Sequence, residues 1–365
     1  MDRSVLNSLV LARSNWSKNH RHHGGVRAIT RCWLGTAKLK AMADLREVAD
    51  REGIDCISCS VIPLLTSLWA HVTRRAVPGS QSRFIIGDCS GGFAQNHHLS
   101  PQAEAWPMLN EVHGTKLDLL MSRRATSAYV LVSDDDVFWL DSTPWDWAME
   151  QFARDPNLAV ASLVPRTRFT WTINGREHQP MGSYNLIIRR SIWIREKLSL
   201  KPLPIPSPNP ESHNGHYDTA DFANCELLKR GYNIAIAPPE VRARMVAFKA
   251  LSSGLLILQK SAQRRQKENA SYSPVHLLRC ARIARGLAGI IASLQGGEKC
   301  QLIPEPLLAE FETFASNKIS WSVRQSVYSE VDATVAQIKA AALKPQNERA
   351  VSLSEMQTAK PYPAI

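Results

Sequence analysis

The chain lacks a long apolar run. None of its 365 residues belongs to a stretch approaching the roughly 20 uninterrupted apolar residues that a membrane-spanning helix needs. Residues 1–19 mix Arg and Lys with short apolar patches, and they contain no continuous hydrophobic segment typical of a signal peptide. We therefore expect a cytoplasmic protein. The membrane role that stays open is peripheral contact with the inner membrane face.

The chain also lacks the pattern of a disulfide-stabilised protein. Its seven cysteines are odd in number and widely spread, which favours reduced thiols. Cys56 and Cys59 have the spacing of a redox or zinc-binding motif, but no second pair accompanies them. Their apolar neighbours predict that both thiols are buried in a strand.

Acidic residues are too few to balance the basic ones, and the net charge is +11. Residues 1–50 carry nine Lys and Arg against four Asp and Glu, and residues 242–300 carry eleven against two. The 191 residues between them are nearly neutral, with eighteen basic against twenty acidic side chains. Basic flanks suit anionic partners, which include phosphate-bearing substrates, an acidic membrane surface and nucleic acid.

Strand and helix patterns alternate from about residue 54 to residue 240. This alternation predicts an α/β fold with a mostly parallel sheet and right-handed crossovers. The main predicted strands are 55–63, 83–87, 129–133, 158–164, 182–188 and 232–237, and the predicted helices include 36–52, 64–77, 114–126 and 145–155. An Asn174-Gly175 pair between two short extended runs predicts a tight hairpin.

These patterns divide the chain into four regions. We predict a basic N-terminal extension with a helix at 1–53, an α/β domain at 54–240, a helical and basic C-terminal region at 241–345, and a disordered tail at 346–365.

Three consecutive carboxylates, Asp134-Asp135-Asp136, follow the predicted strand 129–133. Ligands of open α/β sheets bind at the carboxyl ends of strands. Adjacent carboxylates in apolar surroundings repel one another and resist burial unless a cation neutralises them. A divalent ion that also binds the phosphates of a substrate would neutralise the three carboxylates. Alternatively, the tripeptide is a solvated acidic turn without a ligand.

Three motifs occur in a particular order. They are the strand and turn Phe84-Ile85-Ile86-Gly87-Asp88-Cys89-Ser90, the segment His113-Gly114-Thr115-Lys116-Leu117-Asp118 followed by the strand and acidic tripeptide, and Tyr217-Asp218-Thr219-Ala220-Asp221 followed by Leu228-Lys229-Arg230-Gly231-Tyr232. In this order they resemble the GT-A type glycosyltransferases, close to glycosyltransferase family 2. The resemblance covers residues 54–240, about half of the chain.

The resemblance implies a site for a nucleotide-sugar donor. Asp88 would accept a hydrogen bond from the nucleobase, and Ser90 and Asp118 match positions of the same donor-binding set. Asp134 would face the ribose or the donor sugar. The implied partners are a nucleotide-sugar donor and a saccharide or glycan acceptor; nucleic acid is not expected.

The resemblance also implies a metal and a base. Asp136, together with Asp134, would hold Mn²⁺ or Mg²⁺ on the diphosphate, where the ion stabilises the departing nucleoside diphosphate. Asp218 or Asp221 would deprotonate the acceptor hydroxyl in an inverting transfer.

Some residues depart from the family pattern, and each assigned role has a structural alternative. Gly87 and Cys89 replace the first Asp and the Gly of the family's Asp-Asp-Gly-Ser turn, and no histidine follows residue 237 at the expected place. Asp88 could instead close its own turn, and Asp218 could cap a helix. Trp139, Trp171, His178 and Tyr184 are candidates for sugar contact, with core packing as the alternative for Trp171 and Tyr184.

Two other functions remain open from the sequence. A sugar-phosphate nucleotidyltransferase would need a Gly-rich basic loop after the first strand, and residues 62–66 offer none. A non-catalytic membrane- or nucleic-acid-binding protein would use the basic helix at 275–294, with Arg279, Arg282 and Arg285 along one side. That helix could equally be a cap on the α/β domain.

Overall fold

The computed structural model describes residues 26–78, 82–93, 99, 102–166, 170–204, 217–259, 273–298 and 300–344. The predicted tail at 346–365 and the first 25 residues lie outside this part. The strands, numbered along the chain, are β1 (Arg51–Ser60), β2 (Ser82–Asp88), β3 (Glu104–Pro107), β4 (Ser127–Ser133), β5 (Val137–Trp139), β6 (Leu158–Ser162), β7 (Trp171–Ile173), β8 (Arg176–His178), β9 (Asn185–Arg189), β10 (Asn233–Ile236) and β11 (Met245–Ala247). The helices are α1 (Val26–Ala41), α2 (Pro63–Ala76), α3 (His113–Arg123), α4 (Thr143–Arg154), α5 (Arg190–Arg195), α6 (Asp221–Lys229), α7 (Pro239–Arg242), α8 (Leu251–Leu258), α9 (Pro274–Leu294), α10 (Glu305–Lys318) and α11 (Trp321–Leu343).

Seven strands form one mixed, mostly parallel sheet in the order β10-β6-β9-β4-β1-β2-β3. Strand β9 is antiparallel to both of its neighbours, and the other pairs are parallel. The predicted α/β architecture with a helical C-terminal region is confirmed. The sequence did not predict the reversed direction of β9, because an apolar run alone does not show which way a strand points.

Strand β1 is covered on both of its faces. Its side chains enter different hydrophobic clusters: Cys56 packs in the cluster that contains Trp69 of α2, and Cys59 packs in the cluster that contains Leu117 of α3. Every residue from Gly53 to Ser60 is accordingly buried, as expected for a strand with helices on both sides. All seven cysteines of the chain are free, as predicted.

The predicted helix at 36–52 is wrong in its bounds. Helix α1 ends at Ala41, and Asp44 then caps a single 3₁₀ turn at 45–47 by accepting a hydrogen bond from Arg46 N. Strand β1 already begins at Arg51. A side chain that caps a new turn competes with continuation of the helix, and this accounts for the early end.

The predicted hairpin is confirmed as the ribbon β7–β8. Asn174 and Gly175 both have left-handed backbone angles, with φ of 52° and 73°. A two-residue turn of this kind needs such angles at both positions, which Asn and Gly tolerate best.

Helices α8 to α11 form a layer on the face of the sheet that carries α2 and α4. The three arginines of α9 pair with acidic side chains of the same layer: Arg279 with Glu330 at 2.7 Å, Arg282 with Asp332 at 2.5 Å, and Arg285 with Glu305 and Glu312. This pairing favours a helical cap over a membrane-binding surface on α9. Among the described residues, no helix combines the length and apolarity that crossing a bilayer requires.

The C-terminal region begins inside the α/β unit. Strand β11 pairs with β5, which directly follows the acidic tripeptide. The predicted division at residue 240 therefore separates residues that lie side by side at the edge of the sheet.

Candidate functional site

A cavity of about 670 Å³ opens at the carboxyl ends of β1 and β4. Its walls combine the acidic tripeptide with side chains from α3, from the segment after β6, and from residues 242–253. The lining residues with charged side chains are Asp134, Asp135, Asp136, His113, Lys116, Arg166, Arg242 and Lys249. The sequence predicted ligand binding at this edge, and the structure places the cavity there.

Asp134 is the member of the tripeptide most open to the cavity, with 39% of its side chain exposed. Its backbone N–H donates to the carbonyl of Tyr184 at 2.9 Å, which ties the end of β4 to the segment before β9. One carboxylate oxygen lies 3.1 Å from Nε2 of His113, the first residue of α3. Asp134 is thus available to a ligand.

Asp135 is buried, and it is also one of the residues that line the cavity. It accepts hydrogen bonds from Thr66 Oγ1 at 2.6 Å and from Ser252 Oγ at 2.9 Å. Burial raises its pKa to about 6, although both hydroxyl donors oppose the shift. Asp135 therefore joins α2 and α8 to the end of β4.

Asp136 is also buried, and it touches the start of α8. Its Oδ2 accepts from Leu251 N at 3.1 Å, and its carbonyl accepts from Phe248 N at 3.0 Å. Ala250, with φ of 55°, turns the chain so that α8 begins against this carboxylate. Burial raises the pKa of Asp136 well above its usual value, and the charges of Asp134 and Asp135 add to the shift.

Oxygen donors at Asp134 and Asp136 suit a hard divalent cation. The raised pKa of Asp136 indicates a carboxylate short of neutralising charge, which such a cation would supply. Within the described ranges, no three His, Cys, Asp or Glu side chains cluster closely enough to hold a metal by themselves. The residues fit an ion that takes its other ligands from phosphates and water.

Four basic side chains line the same cavity as the tripeptide: Lys116, Arg166, Arg242 and Lys249. Lys116 is 5% exposed and donates to Asn110 Oδ1 at 2.8 Å. Burial lowers its pKa, but the neighbouring cysteines and Asp134 outweigh that effect, and the pKa of Lys116 is raised overall. Cations held opposite carboxylates are suited to a metal-bound diphosphate.

Arg166 connects the cavity with the two predicted base candidates. Its Nη1 lies 2.8 Å from Asp221 Oδ1, and its Nη2 lies 3.5 Å from Asp218 Oδ2. The side chain of Asp218 is 53% exposed, whereas that of Asp221 is 1% exposed. Neither Asp218 nor Asp221 is among the described residues that line the cavity, and Arg166 links both of them to its wall.

Asp88 and Ser90 are occupied within their own turn. Asp88 accepts hydrogen bonds from the backbone N–H groups of Ser90, Gly91 and Phe93 at 2.9–3.0 Å, and from Ser90 Oγ at 2.6 Å. Asp88 is 2% exposed. Neither residue is among the described residues that line the cavity. Their geometry matches the turn-closing alternative, and nucleobase binding at Asp88 stays a prediction.

Asp118 likewise serves the fold. It accepts hydrogen bonds from Ser199 Oγ and from Leu200 N at 2.8 Å, and it holds the segment after α5 against α3. Burial raises its pKa. Asp118 is not among the described residues that line the cavity. Its predicted contact with the donor stays a prediction.

The aromatic candidates differ in position. Tyr184 lines the cavity, as proposed for sugar contact. Trp139 and Trp171 are buried, and Trp139 donates to Asn185 Oδ1 at 3.3 Å. His178 pairs with Trp171 in the ribbon β7–β8. The two tryptophans therefore pack in the interior.

Several charged residues of the site were not assigned a role from the sequence. They are His113, Lys116, Arg166, Arg242 and Lys249. His113 and Lys116 lie inside a quoted motif, so their spacing on the first turn of α3 could have indicated them. The others lie in loops or short elements without periodicity, and only the tertiary structure brings them together.

No family model matches the chain, and no curated protein matches it in sequence. Among solved structures, it is similar to the mannosyltransferase PcManGT from Pyrobaculum calidifontis in complex with GDP-Man and Mn²⁺, with 14% identity, a TM-score of 0.38, and coverage of 93% of this chain and 99% of that one. It is also similar to the galactosyltransferase LgtC in complex with donor and acceptor sugar analogs, with 13% identity, a TM-score of 0.27, and coverage of 39% of this chain and 59% of that one.

A third similar structure is TarS from S. aureus, with 12% identity, a TM-score of 0.32, and coverage of 77% of this chain and 55% of that one. At these TM-scores, the similarities assign neither a substrate nor a residue role to this chain.

Proposed function

We propose that this protein is a metal-dependent glycosyltransferase that moves a sugar from a nucleotide-diphosphate donor to a hydroxyl of a saccharide or glycan precursor. One observation carries the proposal: Asp134 and Asp136 line a single cavity at the carboxyl edge of the sheet together with the basic side chains of Lys116, Arg242 and Lys249. A pyrophosphate with a divalent cation complements both charge sets. The fold class and the order of the three motifs support the same conclusion.

Asp134 and Asp136 would hold Mn²⁺ or Mg²⁺, and the ion would supply Lewis-acid stabilisation of the leaving diphosphate. Lys116, Arg242 and Lys249 provide fixed positive charge for the diphosphate in the same cavity, whereas Arg166 is paired with Asp218 and Asp221. Because Lys116 is buried and hydrogen-bonded, its charge needs little reorganisation when negative charge develops.

Asp218 is the better of the two base candidates. A general base must reach the acceptor hydroxyl, and Asp218 has an exposed carboxylate. Asp221 is buried, with one oxygen paired to Arg166 and the other accepting from Asp218 N at 3.1 Å. Attack by the acceptor oxygen on the face opposite the diphosphate would invert the anomeric carbon, and NMR of the product would report the configuration.

The nucleotidyltransferase alternative finds no support at the first strand. The turn between β1 and α2 consists of Val61 and Ile62, and α2 begins at Pro63. This turn contains no glycine or basic side chain, and Thr66 of the next turn of helix is used by Asp135.

A thermal-shift screen of nucleoside diphosphates, each with and without Mn²⁺ or Mg²⁺, tests the proposal. A ligand present at a hundred times its Kd stabilises the folded state by about 2.7 kcal/mol. We expect one nucleobase to give the largest shift, and only when the cation is present. Release of that nucleoside diphosphate from its sugar conjugates then identifies donor and acceptor.

Asp136→Asn tests the predicted metal ligand in the same assays. We expect the cation-dependent shift and the transfer activity to disappear, and chelation of the wild type to have the same effect. Asp146→Asn, at an exposed position of α4, is the matched control. Full transfer by Asp136→Asn, or by the wild type in excess chelator, would reject the metal-dependent mechanism.

A further inference from the structure

Among the described residues that line the cavity, only Arg166 forms ion pairs with both Asp218 and Asp221. The guanidinium is planar, and its donors form a rigid fork, so its two ends can hold two carboxylates in fixed relative positions. Nη1 pairs with the buried Asp221 and Nη2 with the exposed Asp218. A lysine ammonium in its place would be a point charge without this geometry.

The backbone that carries Arg166 is fixed on two sides. Arg166 N donates to the carbonyl of Pro180 at 3.1 Å. Gly182 packs so closely on the same segment that a Cβ there would lie 2.0 Å from the carbonyl oxygen of Val164. With its side chain 12% exposed, Arg166 has little freedom to turn elsewhere.

Asp221 contacts both the guanidinium of Arg166 and the backbone of Asp218. Its Oδ1 accepts from Arg166, and its Oδ2 accepts from the backbone N–H of Asp218 at 3.1 Å. Ala220, with φ of 68°, turns the chain so that α6 begins at Asp221. One buried carboxylate therefore fixes both the guanidinium and the backbone of the neighbouring base candidate.

We propose that Arg166 and Asp221 form a positioning pair that fixes the direction of the Asp218 carboxylate beside the part of the cavity wall that Arg166 forms. The inference rests on the proposed function and extends it to the acceptor side. Beyond Arg166, the carboxylate of half-exposed Asp218 accepts a hydrogen bond at Oδ1 from Thr219 N, at 2.7 Å. Without the guanidinium of Arg166, the Oδ2 atom of Asp218 would be free to turn into solvent.

In the reaction, the acceptor oxygen forms a bond to the anomeric carbon of the donor. The bond from that carbon to the diphosphate oxygen breaks, and its electron pair leaves with the nucleoside diphosphate. The acceptor proton passes to Asp218. This transfer requires the carboxylate oxygen to lie within hydrogen-bond distance of the hydroxyl, and displacement by about 1 Å can cost about a hundredfold in rate.

The test compares Arg166→Gln, Arg166→Lys and Asp221→Asn with the wild type in steady-state transfer. We expect each to lower kcat by about a hundredfold, while the KM for the donor changes by less than about twofold. Arg166→Gln leaves the buried Asp221 without its cation, so the double variant Arg166→Gln/Asp221→Asn is included. Because the two residues act as a unit, its kcat should equal that of either single variant.

Arg176→Gln, at an exposed position of β8, is the matched arginine control. The thermal shift given by the nucleoside diphosphate verifies that each variant is folded. A raised donor KM with unchanged kcat would show that Arg166 binds the diphosphate instead, and would overturn the positioning role. Wild-type kcat in Arg166→Lys or in Asp221→Asn would overturn it as well. A wild type that transfers no sugar from any donor would overturn the proposed function, and this inference with it.

Discussion

Replacing Asp135 by Asn should make the metal-free protein more stable at neutral pH. The buried carboxyl has a pKa of about 6, against 3.8 in its ordinary state. A raised folded-state pKa means that the folded protein binds the proton more tightly than the unfolded chain does. The protonated carboxyl therefore makes its full contribution to the stability of the folded state below about pH 4. This contribution is lost as the pH rises through about 6.

The size of the effect follows from the shift. Integration between the two pKa values gives a cost for the ionised carboxylate of about 1 kcal/mol at pH 4.5 and about 3 kcal/mol at pH 7.5. An Asn side chain keeps the volume, and its carbonyl oxygen can still accept from Thr66. The variant avoids the ionisation cost, so its advantage over the wild type should grow by about 2 kcal/mol between these two pH values.

Urea unfolding in the presence of chelator, at pH 4.5 and pH 7.5, measures this difference. Asp146→Asn, at an exposed position, should change the free energy of unfolding by less than about 0.5 kcal/mol at both pH values. An Asp135→Asn variant whose difference from the wild type does not depend on pH would refute the reasoning, because the carboxyl would then titrate as an ordinary Asp.

Two further predictions concern Thr66 and Gly182, which support residues of the site. Thr66→Val removes the donor to Asp135 Oδ2 and should lower the free energy of unfolding by about 1–3 kcal/mol; urea denaturation measures it, and an unchanged midpoint would contradict the contact. Gly182→Ala places a Cβ against the carbonyl of Val164, so both thermal stability and transfer activity should fall. The control is Gly289→Ala, where a Cβ meets nothing within 4 Å; equal Tm values for the two alanine variants would contradict the close approach.

The sequence predicted the sheet and its acidic edge because both depend on local patterns. Apolar runs such as 129–133 identify strands, and carboxylates after a strand must lie at its carboxyl end. The predicted helix at 36–52 failed because the apolar spacing continues past Ala41, whereas capping by Asp44 ends the helix. Periodicity alone does not reveal such competition.

The site itself was only partly predictable. The acidic tripeptide was identified, but the different environments of its members depend on partners far away in the sequence, such as Ser252 on Asp135 and Leu251 on Asp136. The link from Arg166 to Asp221 spans 55 positions and has no local signature. Long-range pairing of charged side chains is a property of the packed fold.

The pairing of β11 with β5 has a practical consequence for anyone who shortens this protein. A fragment ending near residue 240 would keep the whole seven-stranded sheet and all three carboxylates of the tripeptide. It would lose Phe248, Leu251 and Ser252, which hold Asp135 and Asp136 in place. The smallest piece worth expressing therefore extends at least through α8, and chimeras should exchange the segment from β11 through α8 together with β5 and the acidic tripeptide.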